Sequence, residues 1–298
     1  MRVFVTGSTG FIGSAIVQEL IHAGHQVLGL TRSDAGEQAL IAAGAAVHRG
    51  DLDDPESLRS GASNSDAVIH TAFNHDFSKF AANCEADRCV IETLGSALAG
   101  SNKLLIVTSG TGISSGAPGV LRTEDMPPVS STVIPRAASE EAAAAVAERG
   151  VRVAVVRLPQ IHDTVKQGLV TYAIQIAREK GVSAYLGDGH NRWAAAHVLD
   201  TARLYRLALE KGEAGARYHA VAEEGISMRE IAGVIGRGLK IPVVSLTPEQ
   251  AAGHFGWLAG FAAWDMPASS TQTREKLGWN PTGPGLITDL ENMRYFPV

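Results

Sequence analysis

Only two cysteines, Cys84 and Cys89, occur among 298 residues, which excludes a disulfide-stapled scaffold and fits a reducing compartment. They lie five apart in a stretch that reads as helix. They therefore point to different faces, match neither a redox pair nor a zinc spacing, and are read as packing residues. Long apolar runs are missing too: none approaches the ~18 residues that span a bilayer. Neither sign of charge dominates, since the net charge is −5 with basic residues scattered, so there is no electrostatic footprint for nucleic acid. The first expected strand begins at Arg2 and leaves no room for a signal peptide. The expectation is a soluble, cytoplasmic protein with neither a membrane nor a nucleic-acid partner. Internal repeats and low-complexity linkers are also lacking, so independently folding domains are not expected.

What the chain does contain appears at once. The apolar run Val3-Phe4-Val5 reads as a buried parallel strand and leads into Thr6-Gly7-Ser8-Thr9-Gly10-Phe11-Ile12-Gly13. From Phe11 to Leu20 the apolar residues Ile12, Ala15, Ile16 and Leu20 recur at helical spacing. Strand, glycine turn and helix in this order form a dinucleotide-binding signature: Gly7 permits the tight turn, Gly10 admits backbone amides close to a pyrophosphate, and Gly13 lets the helix lie on the strand. The helix N-terminus then faces the phosphates. Gly7, Thr9, Gly10, Phe11, Ile12 and Gly13 are the candidate cradle.

The pattern then alternates. Strands are expected at Gln26 to Leu30, Ala45 to His48, Ala67 to His70, Leu104 to Val107 and Val151 to Val156, separated by helical segments. Such alternation implies an α/β fold, a doubly wound parallel sheet covered on both faces. Two of the helices, Ala86 to Ala99 with its stripe Val90, Ile91, Leu94 and Leu98, and the alanine-rich Ala137 to Glu148, allow close packing, either within the chain or as the seam of a homodimer. Past Pro159 the alternation weakens. Helices are expected at Thr171 to Lys180, Asp200 to Leu209 and Ser227 to Leu239, the last capped by Ser227 with Glu230 at its third position, and a short strand at Arg217 to Val221. Residues 1–160, joined by 197–222, are read as the nucleotide-binding Rossmann unit. Residues 161–196 and 223–298 are read as a smaller, irregular substrate lobe over the carboxyl ends of the strands.

The second strand ends Leu30-Thr31-Arg32-Ser33, where a carboxylate ordinarily bonds the adenosine ribose. Thr31 is not acidic, and Arg32 offers a charge-assisted fork for a 2′-phosphate, with Ser33 as a second donor, so NADP is expected over NAD. Asp34 competes for the ribose if its loop folds back. Asp51 and Leu52, after the third strand, are placed at the adenine. His70, Thr71 and Ala72 close the fourth strand beside the pyrophosphate and ribose, with His70 read chiefly as a strand-end histidine in a structural bond.

TGSTGFIG, the Asp51-Leu52 pair, Val107-Thr108-Ser109 and Val155-Val156-Arg157-Leu158-Pro159 together resemble the extended short-chain dehydrogenase/reductases of the NAD-dependent epimerase/dehydratase type. Trp193 to Asp200 is similar to that family's second-lobe segment. The resemblance covers nearly the whole chain and adds Thr108 and Pro159 to the cofactor-contacting residues. It also implies a tyrosine followed four residues later by a lysine before the sixth strand. Here Arg136 stands at the tyrosine position and Glu140 at the lysine position. An arginine is a poor proton relay, and a carboxylate cannot supply the lysine's charge. The chain thus resembles the atypical subgroup that lacks the dyad. Arg136 and Glu140 either pair across one helical turn, or Glu140 bonds the ribose while Arg136 faces an anionic or carbonyl substrate.

Chemistry must then come from elsewhere. Ser109 and Thr111, after the fifth strand, are candidates for holding a substrate oxygen. His75, after strand four, and His162, after strand six, are candidates for moving a proton. Arg192 and Trp193 are placed at the pocket rim or in the second-lobe core. His197 and Asp200 lack a third ligand, so capping is preferred to a metal site, and no metal is expected. The resulting expectation is an NADP-dependent oxidoreductase acting on the carbonyl or hydroxyl of a small organic molecule. A non-catalytic redox sensor and an epimerase or dehydratase that uses its cofactor transiently are the alternatives.

Overall fold

Seven short strands pair in parallel, and all but the edge strand at Ala46–Arg49 are largely buried by the helices that separate them. The computed structural model describes residues 1–117 and 119–295, so the last three residues assigned to the substrate lobe lie outside the described residues. β1 (Arg2–Thr6) leads through the glycine turn into α1 (Phe11–His22), and β2 (Gln26–Thr31), α2 (Asp34–Ala42) and β3 (Ala46–Arg49) follow. Next come α3 (Pro55–Ser63), begun by Asp54 as cap with Pro55 at its first position, β4 (Ala67–His70) and α4 (Phe80–Leu98). β5 (Leu104–Gly110), α5 (Ala138–Glu148) and β6 (Arg152–Leu158) complete this half.

The spatial order is β3-β2-β1-β4-β5-β6, and the sheet is closed at the β6 edge by a strand from the C-terminal half. The chain reverses direction across the sheet between β1 and β4, and the register Thr6↔His70 brings their carboxyl ends to one level. Such a switch point opens a crevice for a ligand. α4 begins at Phe80, earlier than its apolar stripe implies. A loop fixes that start: Asp76 caps a 3-10 turn at Phe77–Lys79, and the Asn83 amide donates to the carbonyls of Asn74 and Asp76. The α4 stripe lies under Ala142, Ala143 and Val146 of α5 within this chain. Cys84 is buried, whereas Cys89 is exposed, so the packing role expected for both belongs to Cys84 alone.

After Pro159 the expected loop is instead a strand, β7 (Gln160–His162). α6 (Val170–Lys180), β8 (Ser183–Leu186), β9 (Arg192–His197), α7 (Val198–Lys211), β10 (Arg217–His219) and β11 (Glu223–Ser227) follow. α8 (Met228–Leu239) starts in a complete Ser227/Glu230 capping box, and β12 (Val243–Leu246), α9 (Pro248–Phe255), α10 (Ala259–Ala262), α11 (Thr271–Leu277) and α12 (Leu286–Asn292) complete the chain. β10 is the seventh strand of the main sheet, paired with β6, and α7 packs beside α1 in its core. The second lobe has its own core around fully buried Trp193, with β11-β9-β7 and β12-β8 as small sheets. Trp193 is therefore a core anchor, and Arg192 is held by Asp265 at 2.9 Å. The lobes interleave more than the sequence division implies. Leu277 and Trp279 join the main-sheet core, and the Trp279 indole donates to the Asp200 carbonyl at 2.9 Å.

Candidate active site

The glycine turn has the shape its sequence implies. Gly7 sits at φ +68°, and a Cβ there would lie 2.7 Å from the Ala72 nitrogen and 2.9 Å from the Thr71 hydroxyl. Thr71 in turn donates to the Thr6 carbonyl at 2.7 Å, so the segment after β4 wedges against the turn after β1. A Cβ on Gly13 would lie 2.0 Å from the Gly7 carbonyl oxygen. The turn is closed by Gly10 N–H donating to that carbonyl at 2.9 Å, and no side chain caps the start of α1. A helix N-terminus without a protein acceptor, approached only by glycines, fits a pyrophosphate. Thr9 and Gly10 are exposed, and Phe11 and Ile12 partly so, on the side where such a group would rest.

At the adenosine end Arg32 is 79 % exposed and 3.4 Å from Asp51. Thr31 is buried, and the Ser33 hydroxyl oxygen accepts the Gly36 N–H as the cap of α2, which fixes its position and leaves its own O–H to donate. Asp34 turns to Arg49 at 3.0 Å and leaves Arg32 its exposed place. Leu52 is partly buried against the sheet core, beside Asp51.

Both expectations for Glu140 are corrected. It does not pair with Arg136 and does not face a ribose. It is buried in a bidentate pair with fully buried Arg157, at 2.7 and 2.8 Å, and also accepts from Arg217 at 3.2 Å. β6 and β10 carry these arginines, so the carboxylate at the lysine position ties α5 to the sheet edge. Arg136 turns the other way. It donates to Asp87 of α4 at 2.7 Å, to the Ser139 hydroxyl, and to the Thr108 carbonyl at 3.0 Å, while its guanidinium lies 4.3 Å over the Phe73 ring.

Asp87 is the centre of a buried polar chain. Its other oxygen accepts from His70 Nε2 at 2.9 Å, and His70 Nδ1 then accepts from Thr6 at 2.6 Å, a tautomer assigned by these bonds. Burial opposes the Asp87 charge, but the Arg136 cation and the His70 bond hold its carboxyl far below the usual range. Burial pushes the Cys84 thiol up to about 11 against the opposing charge of Arg136. Asp87 was legible as an anomaly: it lies on the same helical face as Ile91 and Leu94, a carboxylate within an apolar stripe. Thr108, expected beside the cofactor, bonds inward to the His70 carbonyl and to Tyr205, at 2.7 and 2.6 Å.

Of the four groups proposed for chemistry, Ser109, Thr111 and His162 are buried and His75 is exposed. His162 is fully buried, bonded to Asp289 at 2.6 Å between β7 and α12, and burial lowers its pKa; this enclosure corrects its placement in an open loop. Ser109 is 4 % exposed with its hydroxyl unpartnered, and Thr111 is also buried, in the 3-10 turn after β5. His75 alone stands in the mouth. Desolvation between flanking rings, together with the charges of Arg136 and Lys166, lowers its pKa, so its imidazole is neutral at pH 7. Pro159 links β6 to β7.

Aromatic side chains from both lobes surround the carboxyl end of β5. Phe73 meets Phe80, Phe77 stacks on Trp257 with centroids 4.3 Å apart and planes 9° apart, and Phe261 links both to Trp264. Trp264 returns to the strand end, 3.9 Å from where a Cβ on Gly112 would sit. This wall escaped the sequence reading because its members lie far apart in the chain.

The family model described as NAD dependent epimerase/dehydratase matches residues 3–222. An uncharacterized protein of Schizosaccharomyces pombe is 48 % identical over 99 % of this chain and 100 % of its own. Another, of Saccharomyces cerevisiae, is 44 % identical over 97 % of this chain and 98 % of its own. Among solved structures, a dTDP-glucose 4,6-dehydratase of Streptomyces venezuelae with NAD bound superposes with TM-score 0.78 at 21 % identity, covering 99 % of this chain and 96 % of that one. The chain belongs to the NAD-dependent epimerase/dehydratase family.

Proposed function

We propose that the chain is an NADP-dependent oxidoreductase of an atypical kind, acting on a carbonyl or hydroxyl of a small organic molecule. The observation that carries this reading is the open cradle at the switch point, with an uncapped helix N-terminus beside Gly7 and Gly13, which admit no Cβ. Gly7, Gly10 and Gly13 would hold the pyrophosphate, Arg32 the 2′-phosphate, and Asp51 with Leu52 the adenine. Bound there, the nicotinamide supplies or accepts a hydride at its C4 position. In the reducing direction the carbonyl carbon gains that hydride and its oxygen gains a proton, leaving an alcohol and the oxidised cofactor.

The chain's own contribution is polar and steric. Arg136, fixed by Asp87, offers N–H donors to a substrate oxygen and so orients the substrate. It holds the oxygen without surrendering a proton. Neutral His75 is suited to accept the proton released when a hydroxyl is oxidised, with solvent supplying it in reverse. The aromatic wall offers apolar ring surface beside that face.

Transfer of deuterium from 4-deuterated NADPH to product, across carbonyl substrates, tests the reading. Stereospecific label in product is expected, and retention of all label in the cofactor across aromatic and aliphatic carbonyls would count against it. The missing tyrosine and lysine favour a second reading, a sensor of cofactor redox state, which requires unequal affinity for the two forms. Kinship with the UDP-glucose 4-epimerase of Streptomyces lividans, 28 % identical over 94 % of this chain, keeps transient oxidation as a third.

A further inference from the structure

The bonds of Arg136 leave part of its guanidinium open. Both Nη1 contacts are internal, to Asp87 and Ser139, and Nη2 gives one bond to the Thr108 carbonyl. Among the described residues, Nε–H and the second Nη2–H have no partner. Nε is also absent from the enclosed, unsatisfied atoms, so it is reached by solvent. The fixed arginine therefore keeps an unpartnered, solvent-reached Nε–H, with a second N–H on Nη2 unused. Phe73 covers one face of the guanidinium at 4.3 Å, and from Phe73 the aromatic wall runs on through Phe77 to Trp257, Phe261 and Trp264. The wall is not sealed: Trp257 is 43 % exposed and Trp264 37 % exposed.

A planar cation next to a cluster of aromatic rings, mostly edge to face with one stacked pair, selects a particular chemistry. Guanidinium donors match a carboxylate, and ring faces match a flat apolar body. Asp87 sets how strongly the cation attracts a ligand, because it neutralises the charge while fixing the direction of the open N–H groups. We infer that the ligand of this cleft is an aromatic carboxylate, its anionic oxygens on Arg136 and its ring against Phe77 and Trp257. The inference names the substrate class for the oxidoreductase proposed above and rests on that reading for turnover, but the binding it specifies is measurable without turnover.

The test is isothermal titration of the full chain, saturated with NADP⁺, with three probes: 2-oxo-3-phenylpropanoate, its methyl ester and 2-oxopropanoate. Each of the last two is expected to bind about tenfold or more weakly than the first, one for lack of charge and one for lack of a ring. Replacing Arg136 alone strands the buried Asp87 charge, so the variant is the pair Arg136→Gln with Asp87→Asn, which removes both charges together. It should equalise acid and ester. Trp257→Ala, at a partly exposed position, should narrow the gap between the phenyl and methyl acids while keeping the preference for acid over ester. Acid and ester binding alike in the unaltered protein, an acid preference that survives the paired variant, or no heat from the phenyl acid would each overturn the inference. Binding as expected with no label transfer to any carbonyl would instead count against the oxidoreductase reading and leave the ligand class standing.

Discussion

Replacing Glu140 by Gln separates two roles for one residue. If Glu140 held the cofactor ribose, the variant would lose cofactor affinity and keep its stability. The structure requires the reverse. Glu140 and Arg157 expose 2 % and 0 % of their side chains, so their charges face each other in a low-dielectric interior. Loss of the carboxylate leaves Arg157 with neutral acceptors alone: the new amide oxygen at position 140, the Ser114 hydroxyl and the Met126 carbonyl at 2.8 and 2.9 Å, and His219 at 3.4 Å. Breaking such a buried pair from one side costs about 3–5 kcal/mol. At about 2–4 °C per kcal/mol for a large domain, the midpoint of thermal unfolding should fall by roughly 6–20 °C. Arg217 softens the loss little, since it bonds the same carboxylate and loses that partner too. Exchanging both members, Glu140→Leu with Arg157→Met, should recover a substantial part, because the uncompensated charge goes with the pair. Denaturant unfolding gives the stability, and NADPH fluorescence gives the affinity. A midpoint moved by under about 2 °C, together with cofactor binding weakened tenfold, would refute the reasoning.

Arg32→Ala should weaken NADPH binding about 10–100-fold and NADH binding little, the loss of charge-assisted bonds to one phosphate, and added salt should shrink the difference; equal affinity of the unaltered protein for both cofactors would remove the basis for NADP. His219 gives a pH prediction. Burial and the neighbouring Arg157 push its pKa down from 6.5 to about 4, outweighing Glu140 and Asp125. The folded state therefore binds fewer protons than the unfolded one, so stability is complete above pH 6.5 and falls by about 3 kcal/mol as the pH drops towards 4. His219→Gln should flatten that part of the pH–stability curve, and an unchanged slope would assign the acid loss elsewhere.

The cofactor half of the site was legible because it is local. A strand, three glycines and a helix lie within the first 22 residues, and Gly10 and Gly13 answer to contacts with Gly7, while Gly7 itself answers to its positive φ and to Thr71 and Ala72. The alternation of apolar strands and helices likewise implied the parallel sheet, since a strand buried on both faces leaves a continuous apolar run. The Ser227 capping box needed only residues three apart. Partnerships across the chain were not legible. From the sequence, Arg136 and Glu140 are neighbours on a helix. In the fold they diverge, one to Asp87 on α4 and the other to Arg157 on β6, because buried charges settle with whichever counterion the packed sheet and helices bring within reach. The aromatic wall and the enclosure of His162 by Asp289 have the same origin. Sequence spacing alone determined the nucleotide cradle and the sheet that carries it. Which polar groups face a substrate, and which are locked away, was decided only by tertiary packing, since burial and charge pairing join residues on different elements, 49 positions apart for Arg136 with Asp87 and 127 for His162 with Asp289.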